Sequence, residues 1–137
     1  MLQPRTIFLS DEFKIEVDDA HAYVRAEWLQ PVVEERFVVE AMRAHEAITS
    51  RKAERVLVNA MQVSVIGPKT KDWLANIYFA LYCHTPLKKM ARVMPDNLFK
   101  KLALASVTTR ASAAGELTYE IRDFSSEEEA VRWLLEN

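Results

Sequence analysis

Apolar and polar residues alternate through the first thirty positions, and then the period changes. In "FKIEVDDAHAYVRAEW", Phe13, Ile15 and Val17 point one way. After the turn-like "DDAH", in which Asp18 and Asp19 read as turn formers, Ala22, Val24, Ala26 and Trp28 share a face. Two alternating runs around a turn predict a hairpin. Beyond Pro31, Val33, Phe37, Ala41, Ala44 and Ile48 recur at spacings of three and four, with Glu34, Glu35, Glu40, Arg43 and Glu46 mostly elsewhere, which predicts an amphipathic helix. "RVLVNAMQVSVI", residues 55–66, is β-branched and uncharged after its first residue, as in a strand covered on both faces.

Gly67-Pro68 then opens a helix that stops near Thr85-Pro86. "MARVM" predicts another short buried strand. Pro95-Asp96 opens a third helix with Leu98, Leu102 and Ala105 inward and Lys100 and Lys101 outward, and "LTYEIRDF" predicts a last strand. Ser125 with Glu128 forms a capping box for a final helix carrying Val131, Trp133, Leu134 and Leu135. The order β-β-α-β-α-β-α-β-α predicts an α/β domain over 1–137. Its single mixed sheet has about five strands, mostly parallel, with four helices.

The helix after Gly67 is the unusual element. From Trp73 to Cys83 its only polar side chain besides the two tyrosine hydroxyls is Asn76. On an ideal wheel Trp73, Leu74, Ile77 and Leu81 form a stripe assigned to the sheet. Phe79 then points roughly opposite, with Tyr78 and Tyr82 at the margins. Either a neighbouring element covers these aromatics, or Trp73, Tyr78, Phe79 and Tyr82 form a surface for a partner or an apolar ligand. The same helix starts with Lys69 and Lys71, where the dipole favours carboxylates. The two lysines either extend into water or, with free backbone N–H groups and Thr70, form an anion or partner site.

Charge sharpens that second reading. The net charge is −2, which argues against nucleic acid, yet residues 67–110 carry eight basic side chains against Asp72 and Asp96. This excess is either matched by acidic neighbouring elements or forms a basic face including Lys69, Lys71, Lys88 and Lys89. No apolar run is long enough to cross a membrane, and a lone cysteine, Cys83, suits a reducing cytoplasm. Two glycines cannot build a phosphate-cradling loop or a dinucleotide turn. His21, His45 and His84 lack metal-ligand spacing, so no metal or cofactor is expected. Cys83 and His84 are adjacent helical residues pointing about 100° apart, poor geometry for a nucleophile and its base. No catalytic residue is assigned.

The opening "FKIEVDDAHAYVRAEW" with its long helix, "RVLVNAMQVSVIGPKTKDWL" and the closing "DFSSEEEAVRWLLEN" together span nearly the whole chain. In this order they resemble the SpoIIAA-like group of the STAS fold (sulfate transporter and anti-sigma factor antagonist), which is related in fold to the CRAL-TRIO lipid-transfer domains. The resemblance implies a non-enzymatic interaction or regulatory module. In the antagonists of that fold a serine in a D-S-S-G-type turn is phosphorylated. Here the turn falls on Gly67, Pro68, Lys69 and Thr70, so the serine switch is missing and Thr70 is the one nearby hydroxyl. Two functions are carried forward. One is a homodimer or protein-binding module using residues 73–83. The other is a carrier or sensor of a hydrophobic anion such as a fatty acid or phospholipid, with Lys69, Lys88, Lys89 or Lys100 at the head group.

Overall fold

The structure, a computed structural model, describes residues 1–63, 66–94 and 117–136. Its frame is one six-stranded sheet, β1 (Arg5–Leu9), β2 (Phe13–Asp18), β3 (Tyr23–Trp28), β4 (Arg55–Asn59), β5 (Lys89–Val93) and β6 (Glu120–Phe124), in that spatial order. β1, β2 and β3 pair antiparallel, and β3, β4, β5 and β6 pair parallel. The α/β class stands, with one strand more than expected and two antiparallel pairings beside three parallel ones. The added strand is β1. Its irregular run "RTIFL" hides the period because a bulge between Thr6 and Phe8 breaks its register with β2.

The hairpin forms where alternation placed it, with Phe13 opposite Trp28 and Val17 opposite Val24. Asp18 closes the turn: its Oδ1 accepts from the His21 N–H at 3.3 Å and its Oδ2 from the Gln3 N–H at 2.8 Å. Ala22 takes left-handed backbone there, φ 49°, and so lies outside β3. β4 ends at Asn59, seven residues before the expected end, because the Asn59 side chain accepts from the Met61 N–H and turns the chain.

Each face of the sheet carries its own core. On one face Phe13, Ile15, Val17, Val24, Ala26, Trp28, Val56 and Met90 pack against α1 (Glu34–Ser50) and the helical segments of 68–84. On the other, Tyr23, Leu57, Ala91 and Val93 pack against α4 (Glu127–Leu135). Within α1 the predicted stripe buries Ala41, Ala44 and Ile48, whereas Val33 caps the helix and is exposed. Glu40, placed off the core by the sequence pattern, is fully buried and pairs with Arg43 Nε at 3.1 Å and Arg36 Nη2 at 3.6 Å. The third predicted helix, with Lys100 and Lys101, lies outside the described residues.

The capping box predicted for α4 is not formed. Ser126, not Ser125, is the N-cap, and it makes no side-chain cap bond. Glu127 anchors the helix instead: its carboxylate takes Arg25 Nε at 2.9 Å and Nη2 at 2.6 Å, and Asn59 Nδ2 at 2.7 Å. Arg25 also reaches Glu16 at 2.9 Å and Glu27 at 2.8 Å, so β2, β3 and α4 meet at one guanidinium, and Asn59 ties β4 to the same Glu127 carboxylate. The Arg25 hydrogen bonds hold the Glu127 carboxyl below its ordinary range. Its stabilisation is therefore present above the ordinary value of 4.5 and is lost as pH falls through the lower folded value. In acid unfolding followed by circular dichroism, Glu127→Gln is expected to flatten the loss of stability below about pH 4.5. An unchanged acid slope would contradict this role.

Candidate functional site

The segment after Gly67 is helical to His84 but not uniformly so. It runs through α2 (Pro68–Trp73), a π turn (Leu74–Tyr78), α3 (Phe79–Leu81) and a final 3-10 turn (Tyr82–His84). In the π turn the Phe79 N–H reaches back five residues to the Leu74 carbonyl. The buried face is Leu74, Ala75, Tyr78, Phe79 and Tyr82. This corrects the wheel, which faced Trp73, Leu74, Ile77 and Leu81 to the sheet: Ile77 is 51% exposed, Phe79 is 5% exposed and Tyr82 is wholly enclosed.

Both stripes have helical spacing, since the helix is apolar on all sides, and burial decides between them. Three aromatic rings remove far more area from water than Ile77 and Leu81 do. The hydroxyls also find partners. Tyr78 Oη donates to the Ala41 carbonyl at 2.9 Å, and Tyr82 Oη lies 2.6 Å from Tyr78 Oη. Since the single Tyr78 proton is committed to Ala41, Tyr82 is the donor to Tyr78. Tyr119 Oη donates to the Phe79 carbonyl at 2.7 Å. Burial raises all three tyrosine pKa values, so the chain of hydroxyls stays protonated at neutral pH. Tyr78, Phe79 and Tyr82 are therefore interior groups and present no surface to a second copy; Trp73 is half-buried against the same core.

The basic residues do not form one site. Lys69 and Lys71 follow the carboxyl end of β4, whereas Lys88 and Lys89 stand at the start of the parallel strand β5, at the opposite end of the sheet. Lys88 pairs with Glu54 at 3.1 Å. Lys89 Nζ donates to the Trp133 and Glu136 carbonyls at 2.8 and 3.0 Å, closing the C-terminus of α4. At the start of α2 the Glu34 carboxylate lies so close to Gly67 that a Cβ there would collide with it. The chain thus sets its own carboxylate beside the helix start where the lysines were expected to recruit an anion. Thr70 is 5% exposed and faces a narrow cleft with Trp28, Glu34 and Phe37, which removes it as an accessible hydroxyl.

What the elements do leave is a partly open cavity of about 70 Å³ between the sheet and the helix layer. Its floor is Phe13, Ala26, Trp28, Val58 and Met90, and its roof Ala41, Ala44, Leu74, Tyr78 and Phe79. Trp28, Val58 and Arg92 place it toward the carboxyl ends of β3, β4 and β5. Trp28 stacks on Phe37 at 4.7 Å and tilts against Phe13 at 4.6 Å, fixing one wall. Among the described lining residues Arg92 alone is charged. Its guanidinium, 6.0 Å from the Phe79 ring centre, meets Asp123 through Nε to Oδ1 at 2.7 Å and Nη2 to Oδ2 at 3.0 Å. No three His, Cys, Asp or Glu side chains among the described residues converge as a metal site would require.

Sequence reasoning passed over Arg92 because "MARVM" reads as a buried strand; an arginine inside such a strand was the available signal. Comparison with known proteins finds no matching family, curated protein or solved structure.

Replacing Tyr82 by Phe is expected to cost about 1 kcal/mol in denaturant unfolding, through the lost hydroxyl donor. Phe79→Asp would bury an unpaired carboxylate and is expected to prevent folding. A well-folded Phe79→Asp protein would place that ring outside the core.

Proposed function

We propose that this chain is a non-enzymatic, STAS-like binding module, and that its site is the cavity under Leu74, Tyr78 and Phe79. The observation that carries the reading is a partly open apolar space with one charged side chain in its described wall. Small-molecule sites combine these features: apolar lining for affinity and few polar groups for orientation. The reading follows the ligand-carrier alternative and drops self-association through the aromatic helix, whose rings are interior. Its volume is about half that of an engineered cavity of about 150 Å³ that takes up benzene. The space inside the fold therefore suits a short apolar group better than a phospholipid or a long fatty acid. No helix among the described residues is long and apolar enough to cross a membrane.

Ala44 faces the cavity from α1, so Ala44→Leu fills it. If the space is open, this variant keeps its stability or gains up to about 1 kcal/mol, and loses the uptake of xenon, a probe smaller than benzene, seen by NMR. If the space is already packed, Ala44→Leu instead loses about 1–3 kcal/mol and wild-type protein takes up no probe. That second outcome would remove the site.

A further inference from the structure

A histidine of α1 leans on the hydroxyl relay that holds the cavity's roof. The His45 ring lies 5.0 Å from Tyr82 and 6.4 Å from Tyr78, tilted at 56° and 59°. Ala41, one turn earlier on α1, accepts the last hydrogen bond of the relay, and Ala44, the preceding residue, lines the cavity. His45 also borders a shallow surface groove along α1, with Met42, Arg43, Glu46 and Thr49. Where the ring is buried, the groups that meet it are uncharged. The 68–84 segment presents Tyr78 and Tyr82. From α1, Thr49 Oγ1 lies 3.5 Å from Nε2, but its proton goes to the His45 carbonyl at 2.7 Å, so it offers the ring an acceptor only. Arg43 and Glu46 lie along the groove, and Arg43 is paired with Glu40 at 3.1 Å. Among the described residues His21 has a carboxylate partner, Asp18 at 2.9 Å, and His45 has none. Burial therefore acts on His45 without a compensating charge, and it holds the imidazole below the ordinary histidine value of 6.5.

We propose that His45 is a proton-sensitive latch on the roof of the cavity. Neutral, the imidazole packs over Tyr82 and Tyr78 and keeps water from the relay. Protonated, it turns out into the adjoining groove, because an imidazolium needs water or an anion and two phenol rings supply neither. Water then competes for the Tyr82 and Tyr78 hydroxyls, the roof loosens, and the hold on an apolar occupant weakens. Only this last step rests on the binding-module reading of the cavity; the latch itself rests on the ring packing. Because the folded value is depressed, the unfolded chain takes up the proton first as pH falls. The contribution of His45 to stability is therefore complete above about 6.5 and is lost as pH falls from there through the lower folded value. The tyrosines stay protonated throughout this window, and the Glu127 carboxyl titrates below it, so neither shares the signal.

The test follows the imidazole protons of the full chain by NMR from about pH 8 to about pH 5, with guanidinium unfolding and xenon uptake measured at about pH 7.5 and about pH 5.5. His45 is expected to titrate below 6.5, with the Tyr78 and Tyr82 ring signals changing in step. The unfolding midpoint is expected to drop more between the two pH values in the wild type than in His45→Gln, which stays neutral; His21 and His84 titrate in both proteins and cancel. Xenon uptake is expected to weaken at the lower pH in the wild type and to stay constant in His45→Gln. A His45 value at or above 6.5, or an equal midpoint drop in both proteins, overturns the latch. So does a midpoint that rises as His45 gains its proton, the sign of an imidazolium held on the Tyr82 ring as a cation. If His45→Gln does not fold, tyrosine ring signals that ignore the wild-type His45 titration overturn it. Xenon taken up equally at both pH values, with the midpoint drop present, overturns the coupling to the cavity. Xenon excluded at both overturns the cavity reading and leaves the latch to be decided by the titration and the midpoints.

Discussion

A helix that is apolar on every side must bury one side and leave another in water. In this chain the hydroxyls of two tyrosines decide which. Tyr78 and Tyr82 can enter the core only if each hydroxyl finds a partner there, and the Tyr82-to-Tyr78-to-Ala41 relay supplies both at 2.6 and 2.9 Å. This relay ties the π turn to α1. Once it is made, Leu74 and Phe79 must face the sheet and Ile77 must face out. The cavity is a consequence, because α1 sets the small Ala41 and Ala44 opposite these bulky groups, between Phe37 and Ile48. Large side chains on one helix and alanines on the other leave a gap where the sheet does not rise to fill it.

The two faces of the sheet handle charge differently. On the α4 face Arg25 is saturated by Glu16, Glu27 and Glu127, three carboxylates from this chain, and it acts as a fixed clamp. On the helix-layer face Arg92 is more deeply placed, and Asp123, which it meets, stands on the short edge strand β6 and borders water. Arg92 also borders an apolar space, whereas Arg25 lies in a tight ionic cluster.

Much of the frame was legible in the sequence because it rests on local period. The hairpin, α1, the uncharged central strand and α4 follow from alternation or from spacings of three and four. Three features were hidden, each for a physical reason. β1 carries a bulge, which destroys the period that would reveal it. The buried face of the helix after Gly67 was ambiguous because two stripes of equal spacing compete, and the choice depends on hydroxyl partners from α1 that no local pattern encodes. The pairing of Arg92 with Asp123 joins residues thirty-one positions apart, so neither residue alone marks a site. The lysines misled for the opposite reason: their local excess is plain in the sequence, but the parallel crossover sends Lys69 and Lys88 to opposite ends of the sheet.

The central claim is that Tyr78, Phe79 and Tyr82 face inward while Ile77 faces water. Side-chain proton relaxation in the presence of a soluble, inert paramagnetic agent tests it most directly. The account predicts strong broadening of the Ile77 methyls and sharp, unaffected ring resonances for Phe79 and Tyr82. Broadened Phe79 and Tyr82 rings with a protected Ile77 would contradict it, and with it the cavity that their inward packing creates.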